Sequence, residues 1–462
     1  MKILYIHPDT SELRDSQITI PIGIVSLSYL IQQLDVEYKG INIPVEKSID
    51  SNFSLENYIK MYNPDLVLID LQWMIYSYKS IEIANIVKNI KPKCIVVLGG
   101  ITATIYADEI LKKFDSIDYI TRGFTEECTI QLIESILNHY NNIESISNLS
   151  YKKNNVVINN PISQINQNDY YHYDNYDFLE HYDYMLERQS NHVSKDMIEK
   201  LAWIPTGRGC SYNCSYCGGN KNMFKKEYCN NKTIPYDPRN IVECMEKLHK
   251  KYRIKYFGIT HDFSIFSKKY CDEIFSEMKK MSFKPVIYNY LFQLPDKEYF
   301  EEYLKVINHN NSIIGLPVVC GNEKYRRLNG KKFNNKELFS FLDFMSNYKV
   351  NIELYFIANP YYGSDTYEES LELMEIILKK YKDKMNLRLS CGFEIIQPES
   401  KKQFKGKTCL STFEDFYYRY SPQFLKDIKN NKNINYLTGE KEYDSLLYNR
   451  IVQAKELINK YE

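Results

Sequence analysis

Three cysteines lie close enough together in this chain to bind one metal centre. Cys210, Cys214 and Cys217 follow a turn that contains Gly207 and Gly209, and their spacing is C-x-x-x-C-x-x-C. Each thiolate can bind one iron of an iron-sulfur cluster, so a short loop with three thiolates satisfies three corners of a four-iron cube. The spacing therefore predicts a [4Fe-4S] cluster whose fourth iron is open to a substrate or cofactor.

A structural zinc site and a set of unrelated buried thiols are the two alternatives. Zinc requires a fourth ligand, which commonly belongs to a second C-x-x-C or to a histidine pair. Cys229 and Cys244 lie downstream, but neither forms such a pair. The ligand count favours the iron-sulfur cluster.

The cysteine loop, with the aromatic Tyr216 just before its third cysteine, resembles the signature of the radical S-adenosylmethionine (SAM) enzymes. The resemblance implies that the open iron binds the amino and carboxyl groups of SAM. It also implies that an external donor such as flavodoxin or ferredoxin supplies the electron that cleaves SAM to methionine and a 5′-deoxyadenosyl radical. Because Gly218 and Gly219 have no side chains, the backbone can approach a bound cofactor closely. The loop around Tyr216 is expected to meet the adenine of SAM.

An acidic residue stands where a predicted strand ends. Asp262 closes the run Gly-Ile-Thr-His-Asp. A carboxylate at the carboxyl end of a barrel strand points toward the mouth of the barrel, where barrel enzymes act. Asp262 is similar to an acidic residue of many radical SAM enzymes, so it is expected to bind the cofactor, with His261 as a further polar candidate. The alternative is that both residues only cap the following helix.

Residues 321–331 resemble the segment that follows the fourth barrel strand of the family. That segment commonly begins with Glu-Ser-Gly, but Val319 and Cys320 stand in place of the first two residues here. In the family it later carries an arginine on the SAM carboxylate, and a guanidinium matches a carboxylate in a fork. The resemblance makes Arg326 or Arg327 this partner, and an exposed helix face is the alternative.

The elements that must position these residues alternate between strand and helix. Six such units fit the partial (β/α)6 barrel that is typical of the radical SAM family, whereas a closed eight-stranded barrel needs a longer chain. The loop 359–363, after the fifth strand, is expected to line the mouth. Apolar runs and helical spacing in residues 201–398 predict strands at 201–205, 256–260, 286–291, 312–318, 351–357 and 386–392, and helices at 238–252, 268–281, 296–308, 335–348 and 366–381.

The first 140 residues predict an α/β domain of another kind. Strands that alternate with helices indicate a parallel sheet with helices on both faces, which is a doubly wound, Rossmann-like domain with its ligand at the carboxyl ends of the strands. The predicted strands are residues 2–6, 64–71, 94–98 and 119–121, and the predicted helices are residues 23–34, 81–90 and 126–137.

Residues 141–200 are predicted to form a linker, and residues 399–462 a helical, aromatic-rich C-terminal extension. The linker contains His172, His181 and His192. These could be metal ligands, but their irregular spacing favours positions in a surface loop.

The strand end of the first domain carries residues that suit a large ligand. Gly99, Gly100 and Thr102 lie there, and paired glycines let a planar or phosphate-bearing ligand lie against the backbone. A dinucleotide is the generic expectation, but no G-x-G-x-x-G opens the first helix.

The order of motifs resembles instead the cobalamin-binding domains that precede many radical SAM barrels. Those motifs are Ile-Pro-Ile-Gly before the first helix, Asp-Leu-Gln-Trp with Gln72 and Trp73, the Gly99-Gly100 pair, and Arg-Gly with Gly123. No D-x-H-x-x-G occurs, so no histidine is expected below the cobalt, and Gln72 or Trp73 would face the lower side of the corrin. The alternative is a Rossmann-like domain that has lost its cofactor.

Composition excludes some classes of function. Lys and Arg number 59 and Asp and Glu also 59, so no strong charge directs the protein to nucleic acid or to an acidic membrane. The 11 cysteines show no regular framework, and we expect neither a signal peptide nor a run of about 18 apolar residues that could span a bilayer. These features predict a soluble, cytoplasmic protein.

Together the two resemblances imply a cobalamin-dependent radical SAM methyltransferase. In such enzymes cobalamin takes a methyl group from one SAM molecule, and a radical from a second SAM activates an unreactive substrate carbon. A small metabolite or natural-product precursor is the expected substrate. Cyclisation, ring contraction or another rearrangement is the alternative within enzymes, and a cobalamin or redox sensor is the alternative outside them.

Overall fold

The structure, a computed structural model, describes residues 1–10, 18–139, 141–163, 170–188, 199–358, 366–392, 397, 411–430 and 441–461. The loop 359–363, His192 and the segment 398–410 lie outside these residues. The chain divides into two compact units. The first comprises Met1–Ile198, Asn222–Asn231 and Leu410–Lys432, and the second comprises Glu199–Lys221, Lys232–Cys409 and Asn433–Glu462.

The first unit is built on a seven-stranded sheet in the order β2-β1-β3-β4-β5-β6-β7. The pairs among β1 to β5 are parallel, and β6 and β7 add an antiparallel hairpin at one edge. Because β1 lies between β2 and β3, the strand order reverses there, and a ligand is expected at the carboxyl ends of β1 and β3. The strands are β1 (Lys2–His7), β2 (Glu37–Asn42), β3 (Leu66–Asp70), β4 (Ile95–Gly99), β5 (Tyr119–Thr121), β6 (Leu149–Lys153) and β7 (Val156–Asn159).

The helices of the first unit begin at recognisable caps. The Asn42 side chain accepts a hydrogen bond from Val45 N at 3.3 Å and starts α2, and Ser54 starts α3 in the same way. The helices are α1 (Ile22–Ile31), α2 (Ile43–Ile49), α3 (Leu55–Tyr62), α4 (Ser77–Ile90), α5 (Ile101–Ile105), α6 (Ala107–Lys113), α7 (Glu126–Leu137), α8 (Tyr182–Arg188), α9 (Lys221–Glu227), α16 (Phe413–Arg419) and α17 (Pro422–Asn430).

The predicted linker belongs to the first unit instead. Hydrogen bonds pair β6 with β5, so the sheet continues past residue 140. Further along, Gly40 N donates to Phe178 O at 2.7 Å and Glu180 N donates to Gly40 O at 2.9 Å, which fastens this segment to the edge strand β2. The backbone groups of an edge strand need partners, and this segment supplies them.

The second unit contains six parallel strands in the order β8-β11-β12-β13-β14-β15, each next to its successor along the chain. This order confirms the predicted (β/α)6 series. The strands are β8 (Leu201–Ile204), β11 (Tyr256–Ile259), β12 (Val286–Tyr290), β13 (Ile313–Val319), β14 (Asn351–Ile357) and β15 (Leu387–Gly392), and β9 (Gly207–Arg208) and β10 (Ile234–Pro235) form a separate ribbon.

Helices cover one face of this sheet. On β14, Ile352, Leu354 and Phe356 are buried, whereas the alternating Glu353 and Tyr355 are partly exposed on the other face. The helices are α10 (Pro238–Tyr252), α11 (Lys268–Met278), α12 (Lys297–Val306), α13 (Glu323–Leu328), α14 (Asn335–Met345), α15 (Tyr367–Tyr381) and α18 (Lys441–Asn459).

The last helix, α18, packs against α15 and β15. Leu447 joins Ala358 and Tyr367 in one buried cluster, and Arg450 Nη1 donates to Ala358 O at 2.9 Å. Within the described ranges, no helix combines the length and apolar character that crossing a membrane requires.

Candidate cofactor sites

The three cysteines of the predicted cluster lie on one loop after β8, and all three are half-buried, free thiols. Burial raises the pKa of Cys210 and of Cys214, and the nearby Lys331 ammonium opposes this shift at both. Metal cations stabilise the thiolate form, so a cluster offsets the cost of burying these groups. The donor set therefore fits an iron-sulfur cluster.

Several hydrogen bonds fix the path of the cysteine loop. Asn220 Nδ2 donates to Cys217 O at 2.7 Å, and Ser215 Oγ donates to the side chain of Asn329. Gly218 N donates to Gln397 Oε1 at 2.6 Å. Gly218 is buried and Gly219 and Tyr216 are half-buried. The contact of Gln397 with the loop spans 179 residues of sequence, so the spacing of motifs could not reveal it.

Gly330 and Lys331 approach the same loop from the end of α13. Gly330 has a φ of +88°, and a Cβ atom there would lie 2.7 Å from Cys214 Sγ. Lys331 is buried, and its Nζ donates to Phe292 O at 2.8 Å. Burial lowers the pKa of Lys331, while Cys214, Asp262, Cys210 and Cys217 oppose that shift. The sequence alone does not reveal this lysine as a site residue, because only the fold brings it close to the cysteines.

Asp262, expected to bind the cofactor, makes hydrogen bonds within the protein. Its carboxylate is fully buried and accepts hydrogen bonds from Ser264 N at 2.8 Å, Ser264 Oγ at 2.8 Å and Phe292 N at 3.0 Å. Burial raises the pKa of Asp262, and these hydrogen bonds oppose the rise. Asp262 therefore caps the turn that follows β11 and ties it to the end of β12, which is the capping alternative.

His261 contacts the cysteine loop directly. One ring nitrogen, Nε2, lies 3.0 Å from Gly209 O, and the other lies 3.2 Å from Thr260 Oγ1. Burial lowers the pKa of His261, which favours a neutral ring that donates from Nε2. His261 thus holds the backbone immediately before Cys210.

Arg326, expected on a SAM carboxylate, makes hydrogen bonds within the protein. It is fully buried, its Nε and Nη2 donate to Cys320 O at 3.0 and 2.9 Å, and Nη2 donates to Asn335 Oδ1 at 2.7 Å. Nη1 has no hydrogen-bond partner, but no part of the side chain is open to an incoming ligand. Arg326 therefore holds the end of β13, and Arg327 lies on the exposed face of α13.

In the first unit, Gln72, Gly100 and Thr102 lie together at the strand ends. Thr102 Oγ1 donates to Gln72 O at 3.1 Å, and Gln72 Oε1 accepts from Ile101 N at 3.2 Å. Gly100 has a φ of +114°, and a Cβ atom there would lie 2.6 Å from Gln72 N. Gly99, the last residue of β4, precedes it. These residues fix two loops against each other.

Trp73 and Gly123 complete this edge. Trp73 follows β3 and is 44% exposed. Gly123 has a φ of +69°, and its N–H donates to Thr104 Oγ1 at 3.0 Å on α5. The adjacent Phe124 packs edge-on against Tyr228, with ring centroids 5.2 Å apart.

A buried pair lies where the strand order reverses. His7 is the last residue of β1, and its Nδ1 lies 3.0 Å from Asp70 Oδ2 at the end of β3. His7 is 2% exposed, and its Nε2 has no hydrogen-bond partner. His7 pairs with Asn42 of β2, and its ring packs edge-on against Tyr76 at 5.0 Å. An unpartnered buried nitrogen at this point fits a ligand-binding edge.

Comparison with known proteins finds one matching domain family and several relatives. Residues 15–132 match the family described as "B12 binding domain". The chain is 27% identical over 282 residues to an uncharacterized methyltransferase, PH0819, of Pyrococcus horikoshii, which covers 61% of this chain and 57% of that protein. It is 24% identical over 191 residues to the anaerobic magnesium-protoporphyrin IX monomethyl ester cyclase of Synechocystis, covering 40% and 35% of the two chains. The chain therefore spans little more than half of the first relative and about a third of the second.

The fold is also found in a solved structure. The radical S-adenosylmethionine methyltransferase TsrM from Kitasatospora setae, solved with cobalamin and a [4Fe-4S] cluster, aligns over 99% of this chain and 91% of its own. The TM-score is 0.70 at 13% identity. The predicted fold class, a doubly wound domain followed by a partial barrel, is confirmed.

Proposed function

We propose that this chain, which belongs with the cobalamin-binding radical SAM enzymes by its B12-binding domain and its fold, methylates an unactivated carbon of a small molecule. The observation that carries the proposal is the combination, in one chain, of a three-thiolate loop on a six-stranded parallel barrel and a B12-binding domain. When bound, the cluster and SAM would supply a 5′-deoxyadenosyl radical and cobalamin would supply the methyl group.

The barrel residues divide into ligands and positioning groups. Cys210, Cys214 and Cys217 would hold three irons, and the backbone from Tyr216 to Gly219 would border SAM. Lys331 places a buried positive charge near the thiolates, where it would favour a reduced cluster. His261 and Asp262 would act through the backbone that they hold.

The first unit would bind cobalamin on its strand ends. Trp73 offers an exposed aromatic face for the corrin, and Gly123 brings backbone close without a side chain. Gln72 and Thr102 fix the loops on which these contacts depend. The absence of D-x-H-x-x-G from the sequence leaves no histidine in that motif to ligate cobalt.

The face of the barrel sheet that carries Glu353 suits a small, planar or polar substrate. Trp203 packs edge-on against Tyr288 at 5.9 Å, and Tyr290 OH donates to Glu353 Oε2 at 3.4 Å. Gly315 leaves the space that the Tyr290 ring fills, since a Cβ there would lie 2.5 Å from it. This face therefore presents aromatic rings and a carboxylate. A flavodoxin or ferredoxin would supply electrons.

Anaerobic reconstitution tests the proposal. After addition of iron, sulfide and hydroxocobalamin and removal of unbound material, we expect about four iron atoms and about one cobalamin per chain. Cys214→Ala should lose iron but retain cobalamin, and Trp73→Ala should do the reverse. A wild-type chain with a cluster but no cobalamin would contradict methyl transfer through cobalamin.

A second candidate is a cyclase or other radical rearrangement enzyme, which the similarity to the magnesium-protoporphyrin ester cyclase favours. Such an enzyme cleaves SAM without consuming its methyl group. Release of S-adenosylhomocysteine would support the methyltransferase, and 5′-deoxyadenosine as the single nucleoside product would support the cyclase.

A further inference from the structure

Three potential metal ligands meet in the first unit, at the edge strand β2. Glu46 lies on α2, directly after β2, and Glu180 and His181 lie on the segment that pairs with Gly40. One ligand atom from each residue lies within 4.8 Å of the others. The irregular spacing of the histidines concealed this group in the sequence.

The separation of His181 and Glu46 suits coordination better than hydrogen bonding. His181 Nε2 and Glu46 Oε2 are 3.6 Å apart, which is too long for a hydrogen bond. Two ligand atoms that are each about 2.1 Å from one tetrahedral zinc ion lie about 3.4 Å apart. The observed separation is therefore close to that of two ligands on a shared ion.

Glu46 provides a second, independent sign of a missing partner. It is 7% exposed, and its Oε1 has no hydrogen-bond partner. A buried carboxylate oxygen without a partner is costly, and a cation at this position removes the cost. Burial raises the pKa of Glu46, which the neighbouring His181 opposes.

Glu180 is held in position from its other side. Tyr58 OH donates to Glu180 Oε1 at 2.7 Å, and Lys39 Nζ lies 3.5 Å from the same oxygen. Both contacts use Oε1, so Oε2 is left to face a ligand. Hydrogen bonds of this kind commonly orient the carboxylates that bind metals. His181 is 42% exposed in its side chain, which leaves room for water on the ion.

We propose that Glu46, Glu180 and His181 bind one divalent metal ion, with water in the remaining positions. Two carboxylates and an imidazole suit Zn²⁺, Mn²⁺ or Fe²⁺. The ion would connect α2 to the segment that covers β2, and so fasten that segment to the sheet. This site is separate from the cluster and cobalamin sites and does not depend on the proposed function.

Mn²⁺ is the probe of choice, because thiolates of the cysteine loop prefer softer metals. The cluster-reconstituted, chelator-treated chain is titrated with Mn²⁺, and free Mn²⁺ is counted by electron paramagnetic resonance. We expect about one bound Mn²⁺ per chain that Zn²⁺ displaces, and at least tenfold weaker binding in Glu46→Gln and His181→Ala. His139→Ala is the matched control. His139 is also an exposed histidine, and its φ of 60° is close to the 59° of His181. It is not one of the three proposed metal ligands.

Thermal unfolding keeps the test decisive if a variant folds poorly. A metal that binds only the folded chain raises the Tm, so saturating Mn²⁺ should raise that of the wild type and of His139→Ala. It should leave the Tm of Glu46→Gln unchanged. Equal Mn²⁺ binding by wild type and Glu46→Gln, or no binding by the wild type, would overturn the proposal.

Discussion

Replacement of Gly330 by alanine should separate binding of the cluster from folding. A Cβ atom at this position would lie 2.7 Å from Cys214 Sγ, 3.4 Å from Cys214 Cα and 3.5 Å from Cys214 Cβ. Only the sulfur contact is too short, by about 1 Å relative to an ordinary van der Waals separation. The methyl group of Gly330→Ala therefore competes with the sulfur for one position.

Two effects determine how much stability and how much cluster binding Gly330→Ala should lose. A residue with a side chain at a φ of +88° costs about 1–2 kcal/mol relative to glycine. In the cluster-free chain the thiol can rotate away, so the clash adds little and the total loss of stability should be about 2 kcal/mol. In the loaded chain that rotation moves the sulfur by about 1 Å, whereas metal-ligand distances tolerate about 0.2 Å. Cluster binding should therefore be lost far more completely than stability.

Iron and sulfide per chain, measured after anaerobic reconstitution, give the first readout, and the Tm of the cluster-free chain gives the second. We expect less than half of the wild-type iron in Gly330→Ala. Gly23→Ala is the control, because a Cβ there meets nothing within 4 Å and the position is helical, so this variant should bind a full cluster and gain about 0.5 kcal/mol. Full iron content in Gly330→Ala would refute the position assigned to Cys214.

Three further variants test the sites. Lys331→Met removes an amine that interacts electrostatically with all three thiolates, so the cluster potential should fall in a redox titration. An unchanged potential would show that this amine has no influence on the cluster. Gly100→Ala should destabilise the first unit by more than about 2 kcal/mol, because its Cβ would lie 2.6 Å from the backbone nitrogen of Gln72. Chemical denaturation measures this loss, and a midpoint equal to that of the wild type would show that the close contact does not exist. Arg326→Met should lower the free energy of unfolding by about 3 kcal/mol, because it removes the hydrogen bonds to Cys320 O and Asn335. Weaker SAM binding at an unchanged Tm would contradict this and would indicate that Arg326 binds the SAM carboxylate.

The sequence predicted the barrel well because its strands have a strong local signal. Residues 351–357 were predicted as a strand and β14 has the same bounds, and the predicted helix 238–252 matches α10. Parallel strands covered by helices are rich in apolar residues and are therefore easy to locate.

The edge of the first sheet was missed because its signal is weak. The sequence of β2 is Glu-Tyr-Lys-Gly-Ile-Asn, with charged residues on its exposed side. An edge strand needs few apolar residues, so neither alternation nor an apolar run identified it. The short helices α2 and α3 follow from capping residues, Asn42 and Ser54, that are common in loops as well.

Site residues were harder to predict than elements, because spacing locates a strand end but not the direction of a side chain. Asp262 and Arg326 lie where the motifs place them, yet both side chains turn to backbone groups of neighbouring strands and loops. The contacts of His7 with Asp70, and of Lys331 with the cysteine loop, join distant parts of the chain. Only the fold brings such residues together.

The products formed from SAM give a direct test of whether this chain is a cobalamin-dependent radical SAM methyltransferase, because they can be measured before the substrate is known. The chain loaded with cluster and cobalamin is mixed anaerobically with SAM and a strong reductant, and the nucleosides are separated by mass spectrometry. We expect S-adenosylhomocysteine to form only when cobalamin is bound, and 5′-deoxyadenosine to be absent in Cys214→Ala. S-adenosylhomocysteine that forms equally without cobalamin, or a loaded wild-type chain that yields no 5′-deoxyadenosine, would contradict it.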